Sequence, residues 1–359
     1  MLAAIILSIA IGAEPVPTIT SPVGTGEKGF GGDGGPANKA VLDQPFDLAF
    51  DKQGNLYFSD TGNHRIRVVS ASSGIITTLA GNGKKGFAGD GGKGQDAMLN
   101  EPYGVSVDEE GNLYFVDRLN YCIRKVVMKT NVISTVAGTG GKPGFAGDEG
   151  PATEALFVEP NGICLDGKGK LYVADVAGHR IRVVDLKSGT INTLAGTGKG
   201  STSGDGGKLK DAAFNGPRAV AMGPDGSLFV VERNGNTVRK IDLQKGTVDR
   251  FAGTGKKGYT GDGGKAIDAT FDGPKEIDID RDGNVYLVDT ENEAIRRIDV
   301  KTGIITTVAG RGKTKTPGLG DGGPATEATL GRPHGVAVGP DGAIYIGDTN
   351  SHRIRKVKP

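Results

Sequence analysis

Six positions, each following a proline, read in chain order Phe46, Tyr103, Asn161, Arg218, Lys275 and His334. Brought to one place, two aromatic faces, an amide and three potential cations would bind an anionic or carbonyl-bearing ligand through hydrogen bonds. Glu276 and Asp278 follow Lys275, and Asp47 follows Phe46. Carboxylates on a channel wall hold a cation, act as an acid/base pair, or neutralise Lys275 and Arg218. These residues define the expected ligand-binding set. Read structurally, they are solvated strand entries that vary freely. Other chemistry is thin. His64, His179 and His352 occupy one equivalent turn position, which an array would hold apart, and only His334 falls near an axis. No Ser/His/Asp set or Cys/His pair has a supporting context, so neither catalytic nor metal-binding residues are assigned.

Six further acids, Asp33, Asp90, Asp148, Asp205, Asp262 and Asp321, stand in glycine loops. Calcium wants about 6 to 8 oxygens. Each loop offers little more than one carboxylate, so an Asx-type turn, with Asp accepting from the amides just after it, is the expectation. Calcium is the only cofactor the loops suggest. Gly24-Thr25-Gly26-Glu27-Lys28-Gly29 matches a dinucleotide fingerprint, but more loop follows it where a phosphate-binding helix start is needed.

The elements that must place these residues follow from a repeat. Gly-Asp-Gly-Gly starts at Gly32, Gly89, Gly204, Gly261 and Gly320, with Gly-Asp-Glu-Gly at Gly147, giving intervals of 57, 58, 57, 57 and 59 residues. The proline, an acid (Asp60, Asp117, Asp175, Glu232, Asp289, Asp348) and an arginine (Arg67, Arg124, Arg182, Arg239, Arg296, Arg355) keep the same register. Short β-forming runs split by Gly, Asp and Asn turns predict four antiparallel strands per unit. Six units predict an all-β, six-bladed β-propeller. The last unit stops before its fourth strand, and Thr18 to Gly26 matches Ile75 to Gly83, so the N-terminal strand is predicted to close the last blade. Single helical turns are expected at Pro151 to Ala155 and Pro324 to Ala328.

The unit Pro-x-Gly-Val-x-Val-Asp-x-x-Gly-Asn-Leu-Tyr-x-x-Asp-x-x-Asn-His-Arg-Ile-Arg, then Ile-x-Thr-x-Ala-Gly, resembles the NHL repeat. Asn63 and His64 are the name-giving pair, and the likeness covers about residues 17 to 358. It implies a propeller with a binding or scaffold role, and a bacterial, secreted member is expected. The protein, peptide or glycan ligand is placed on the face bearing the Gly-Asp-Gly-Gly loops and the channel entrance. The alternative is a divalent-cation-dependent hydrolase or lyase of the lactonase or amidating-lyase type, sited in the channel near Asp47, Glu276, Asp278 and His334.

With 43 basic and 42 acidic residues the net charge is +1, which favours neither nucleic acid nor an anionic membrane. Met1 to Ala13 is apolar, uncharged and too short to span a bilayer, and reads as a signal peptide. That leaves residues 14 to 359 as one domain, a secreted or periplasmic monomer without a transmembrane span. Cys122 and Cys164, the only cysteines, fall on strands at different radii and are expected as buried free thiols.

Overall fold

A computed structural model describes residues 16–313, 316, 318 and 320–358; the segment read as a signal, 1–13, lies outside them. Six antiparallel sheets form the blades. The first is built from Pro45–Phe50, Leu56–Asp60, Arg65–Val69 and Ile76–Ala80. The last takes Gly335–Val338, Ile344–Asp348 and Arg353–Lys358 from the chain end and Thr18–Val23 from its start. The closing register pairs Thr18 with Lys358, Ile19 with Val357, Thr20 with Lys356 and Val23 with Ile354. Its one irregularity falls between Thr20 and Val23, so Pro22, which has no N–H to give, sits where the ladder is broken. The helical turns are single 3₁₀ turns, among them Ala152–Glu154 and Ala325–Glu327.

The glycine loops do more than cross a face. Each lies along the outer strand of the blade it is about to enter. The Gly34 N–H donates to the Ile76 carbonyl (2.8 Å), and the Ile76 N–H donates to that of Gly35 (3.0 Å). In the last blade Gly322 and Gly323 make the same bonds to Ile19. In the fourth blade the contact lengthens into a two-residue strand, Gly207–Lys208. Exposed strand edges invite pairing with other chains, and the loops cover each one.

Gly32 and Gly34 adopt φ of +85° and +81°. A Cβ at Gly32 would stand 2.7 Å from the Ala40 Cα, so only glycine permits the turn. That turn aims Asp33 away from the amides after it. Its Oδ1 accepts from Arg67 Nη2 (2.7 Å) and its Oδ2 from Thr78 Oγ1 (2.6 Å). The Asx-turn expectation is therefore corrected: a buried guanidinium offers a stronger, charge-assisted partner than a local amide. The fully buried Arg67 also meets Asp60, whose Oδ1 accepts the Asp43 N–H (2.8 Å) and whose Oδ2 accepts from Asn63 (2.8 Å). The same acid–arginine–acid assembly recurs at Arg124, Arg239, Arg296 and Arg355, and Arg182 pairs with Asp148 beside Asp175. In four blades an exposed aromatic, Phe30, Phe87, Phe145 or Tyr259, lies over the arginine.

Neighbouring blades join through their faces and their turns. Six apolar clusters alternate with the blades, and Phe157, Phe214 and Phe271 are fully buried wedges within three of them. His64, His179 and His352 each stand at a left-handed turn position. Their Nδ1 atoms accept the N–H of Glu101, Gly216 and Gln44 on the next blade. Asn236 does the same for Gly273 through its Oδ1. The turn histidines are thus clips between blades, and the His352 clip spans the seam where the ring closes.

Candidate functional site

The first strands converge on the axis, and the collar residues meet there. Phe46 lies between the Tyr103 ring (centroids 4.2 Å apart) and the His334 ring (4.1 Å). Gly335 makes the approach possible, since a Cβ there would overlap the Phe46 carbonyl. Arg218 reaches across from the fourth blade to the Tyr103 ring (5.0 Å), over which Arg118 also lies (4.8 Å). Lys275 Nζ donates to Glu291 Oε1 (3.1 Å) and to His334 Nε2 (3.0 Å), while the His334 Nδ1–H donates to the Arg332 carbonyl (2.9 Å). The donor roles follow from this network, which makes His334 neutral with its proton on Nδ1. Burial, then the charges of Lys275 and Arg218, hold His334 well below the usual histidine range. Burial lowers Lys275 to about 7 against the pull of Glu291.

All six predicted collar residues are therefore brought together, but as a closure. Asn161, Arg218, Lys275 and His334 are each less than a tenth exposed. The gap bordered by Phe46, Tyr103, Asn161, Arg218 and His334 is only about 10 Å³. Beneath it, toward the opposite face, runs a channel of about 340 Å³ with Phe50, Val107, Leu165, Met222, Ile279 and Val338 on its walls. The position order of the first strand hinted at a collar; how fully its side chains fill the axis depends on ring radius, which no local pattern reports.

Three carboxylates line the channel just below the collar, and they differ. Asp47 accepts from its neighbour Leu48 N–H (2.8 Å) and from Val105 N–H of the second blade (2.8 Å). Asp278 accepts from Ile279 N–H (2.8 Å) and from Val338 N–H of the sixth blade (2.7 Å). Both fasten one innermost strand to the next, a role the sequence did not announce. Glu276 accepts, among the described residues, only from the Ile277 N–H (3.1 Å). Burial raises Asp47 to about 7 and Asp278 to about 6. Burial and the neighbouring Asp47 push Glu276 well above the carboxylate range.

These raised values carry a sign. A carboxyl that keeps its proton in the folded state, while the unfolded chain releases it near pH 4.3, loses stabilising effect as pH rises above that value. Glu276→Gln cannot ionise. It should melt close to the parent near pH 5 and become the more stable of the two by about pH 8. Parallel melting curves across that window would mean that Glu276 ionises in place without cost.

The set Asp47, Glu276, Asp278 and His334 does not assemble into a cation site. Two of its carboxylates are committed to backbone amides, and the His334 Nε2 faces Lys275. Among the described residues no group of three or more His, Cys, Asp and Glu is placed to hold a metal ion. Cys122 and Cys164 are buried, free and raised by burial. No helix among the described residues is long and apolar enough to cross a membrane.

Fold and repeated contacts define a six-bladed propeller made of one unit copied six times, its axis plugged by unlike side chains. The NHL-repeat family model matches residues 157–184 and 330–357, and that of the teneurin NHL domain matches 81–144 and 252–318. The chain belongs to the NHL-repeat β-propeller family. NHL repeat-containing protein 2 of Bos taurus is 29% identical over 330 residues, 84% of this chain and 44% of that protein. The chain thus spans less than half the length of the curated relatives it matches. Among solved structures, an auxiliary nutrient binding protein from Bacteroides thetaiotaomicron superposes with a TM-score of 0.69 at 17% identity, over 95% of this chain and 76% of that one. A streptogramin B lyase superposes with 0.51 at 15% identity, over 89% and 94%. At these identities the structural likeness concerns the fold alone.

Proposed function

We propose that this propeller is a binding module that takes a protein, peptide or glycan on the face bearing the Gly-Asp-Gly-Gly loops, with the collar at its centre. The apolar Met1 to Ala13 segment motivates a secreted or periplasmic setting. The observation that carries the reading is a contrast between positions. The recurring arginines and their acids are consumed within each blade. The six collar positions carry six different residues that meet at the axis, which is how a symmetric scaffold acquires one asymmetric recognition patch. A nutrient-binding protein on the same fold is in keeping with this role.

The test is a screen of purified protein on peptide and glycan arrays, repeated with Arg218, Lys275 and His334 all changed to Ser. The parent should retain a defined class of ligand. The triple variant should lose it, since each charged hydrogen bond removed is worth about 1 to 3 kcal/mol. Its circular dichroism should be unchanged. A triple variant that binds as the parent does would move the site to the outer glycine loops.

A further inference from the structure

Three grooves between neighbouring blades are filled by the same two kinds of side chain. One stands at the bulge of an outer strand, where Leu79, Val136 and Leu194 interrupt the ladder to the third strand. The other opens the turn after the third strand of the next blade: Met128, Leu186 and Leu243. Leu79 meets Met128 in one apolar cluster, Val136 meets Leu186 in another, and Leu194 meets Leu243 in a third. At the seam these two places hold Pro22, at the bulge of Thr18–Val23, and Ala71. The backbone at Ala71 is the same as elsewhere. Its N–H donates to Asn55 Oδ1 (2.9 Å), just as the Met128 N–H donates to Asn112 Oδ1 (3.2 Å). Only the side chains are short.

The consequence is a pocket of about 550 Å³ between the sixth and first blades. Pro22, Phe50, Leu56, Val69, Ala71 and Tyr345 supply its apolar walls. None of its lining residues is charged, in a chain of which 24% is charged. A charged group placed there would lose water and find no counter-charge. The Phe50 and Tyr345 rings meet edge to face, with centroids 4.8 Å apart and planes at 66°. Both are only partly buried, so a third ring entering the pocket continues their arrangement. Asn38 and Ser73 also line it and offer an amide and a hydroxyl. Small-molecule sites are commonly of about 300 to 1,000 Å³, apolar with a few polar groups.

We propose that the seam pocket binds a neutral, ring-bearing small molecule, which takes the space that Leu79 and Met128 fill one groove further on. The site is separate from the collar and does not depend on it. Its walls join Pro22 from the chain start to Tyr345 from the chain end, with the first blade between them. Those residues meet only in the closed ring, so an occupied pocket holds the seam shut.

Calorimetry and thermal melting with 2-naphthol, set against the anion 2-naphthoate, test the assignment. One equivalent of 2-naphthol should bind per chain. It should raise the melting temperature by roughly 2 to 4 °C once it exceeds its dissociation constant several-fold. 2-Naphthoate should bind about tenfold more weakly or worse. Ala71→Met gives the seam the filler that the next groove has; it should abolish 2-naphthol binding and melt at or above the parent temperature. Pro22→Leu fills the pocket from the other wall and should abolish binding as well. The triple collar variant should bind 2-naphthol as the parent does. Should either filling variant melt below the parent, photolabelling of the parent with a diazirine derivative of 2-naphthol decides: the label should fall on peptides containing Pro22 or Tyr345. The inference is overturned if 2-naphthol does not bind, if 2-naphthoate binds as tightly, or if Ala71→Met binds as the parent does. A label placed elsewhere, or loss of binding in the collar variant, overturns it too.

Discussion

Removal of residues 1–26 is expected to eliminate cooperative melting at the parent temperature. The deletion takes away Thr18–Val23, and with it the fully buried Ile19 and the nearly buried Val23. Those two side chains alone represent about 3 to 6 kcal/mol of apolar burial. A whole domain is typically stable by only about 5 to 15 kcal/mol. The deletion also strips Arg353–Lys358 of its ladder partner and Gly322 and Gly323 of theirs. The truncated chain should bind apolar dyes, associate through the raw edge, and regain monodispersity when a synthetic peptide of residues 16–26 is supplied. A truncated protein that melts cooperatively where the parent does would refute closure by the N-terminal strand.

Arg124→Met should be the most damaging single substitution away from the axis. Arg124 is fully buried, bonded to Asp90 at 2.6 Å and to the equally buried Asp117 at 3.3 Å. Burial already strains Asp117, raising it to about 6 even with Asn120, the Asn100 N–H and Arg124 as partners. Removing the arginine leaves that carboxyl buried against fewer donors, a situation that costs about 3 to 5 kcal/mol. The melting temperature should fall by roughly 5 to 10 °C. Urea denaturation of Arg124→Met beside the parent reads the loss as a shift in midpoint. A midpoint for Arg124→Met within error of the parent would show that the recurring assembly contributes nothing net.

The architecture was legible because copying a unit six times amplifies weak local signals. The period, the split last blade and the single-turn helices at Ala152 and Ala325 all appear where strand and turn chemistry put them. The Asp33–Arg67 bond escaped because its ends are 34 residues apart and the local Asx turn competes for the same carboxylate. Yet both residues recur in register in every unit, and that joint recurrence was the available clue. The collar positions were found by their failure to repeat. Their mutual contacts, and the service of Asp47 and Asp278 to the next blade's amides, depend on how tightly six innermost strands crowd the axis. Spacing along one strand carries no information about that.

The seam also sets a timetable for synthesis. Thr18–Val23 is made before every other strand of the ring, and its partner Arg353–Lys358 comes about 330 residues later. At roughly 5 to 20 residues per second, that strand waits on the order of 15 to 65 s for its neighbour to be translated. Five blades can assemble during this interval, each within its own stretch of chain, while the sixth cannot begin its outer edge. A growing chain therefore carries a sticky β-segment for as long as the ring is being made. Stalling within the sixth blade would be the most aggregation-prone moment in the making of this ring, and a holdase that recognises Thr18–Val23 would have the greatest effect on yield.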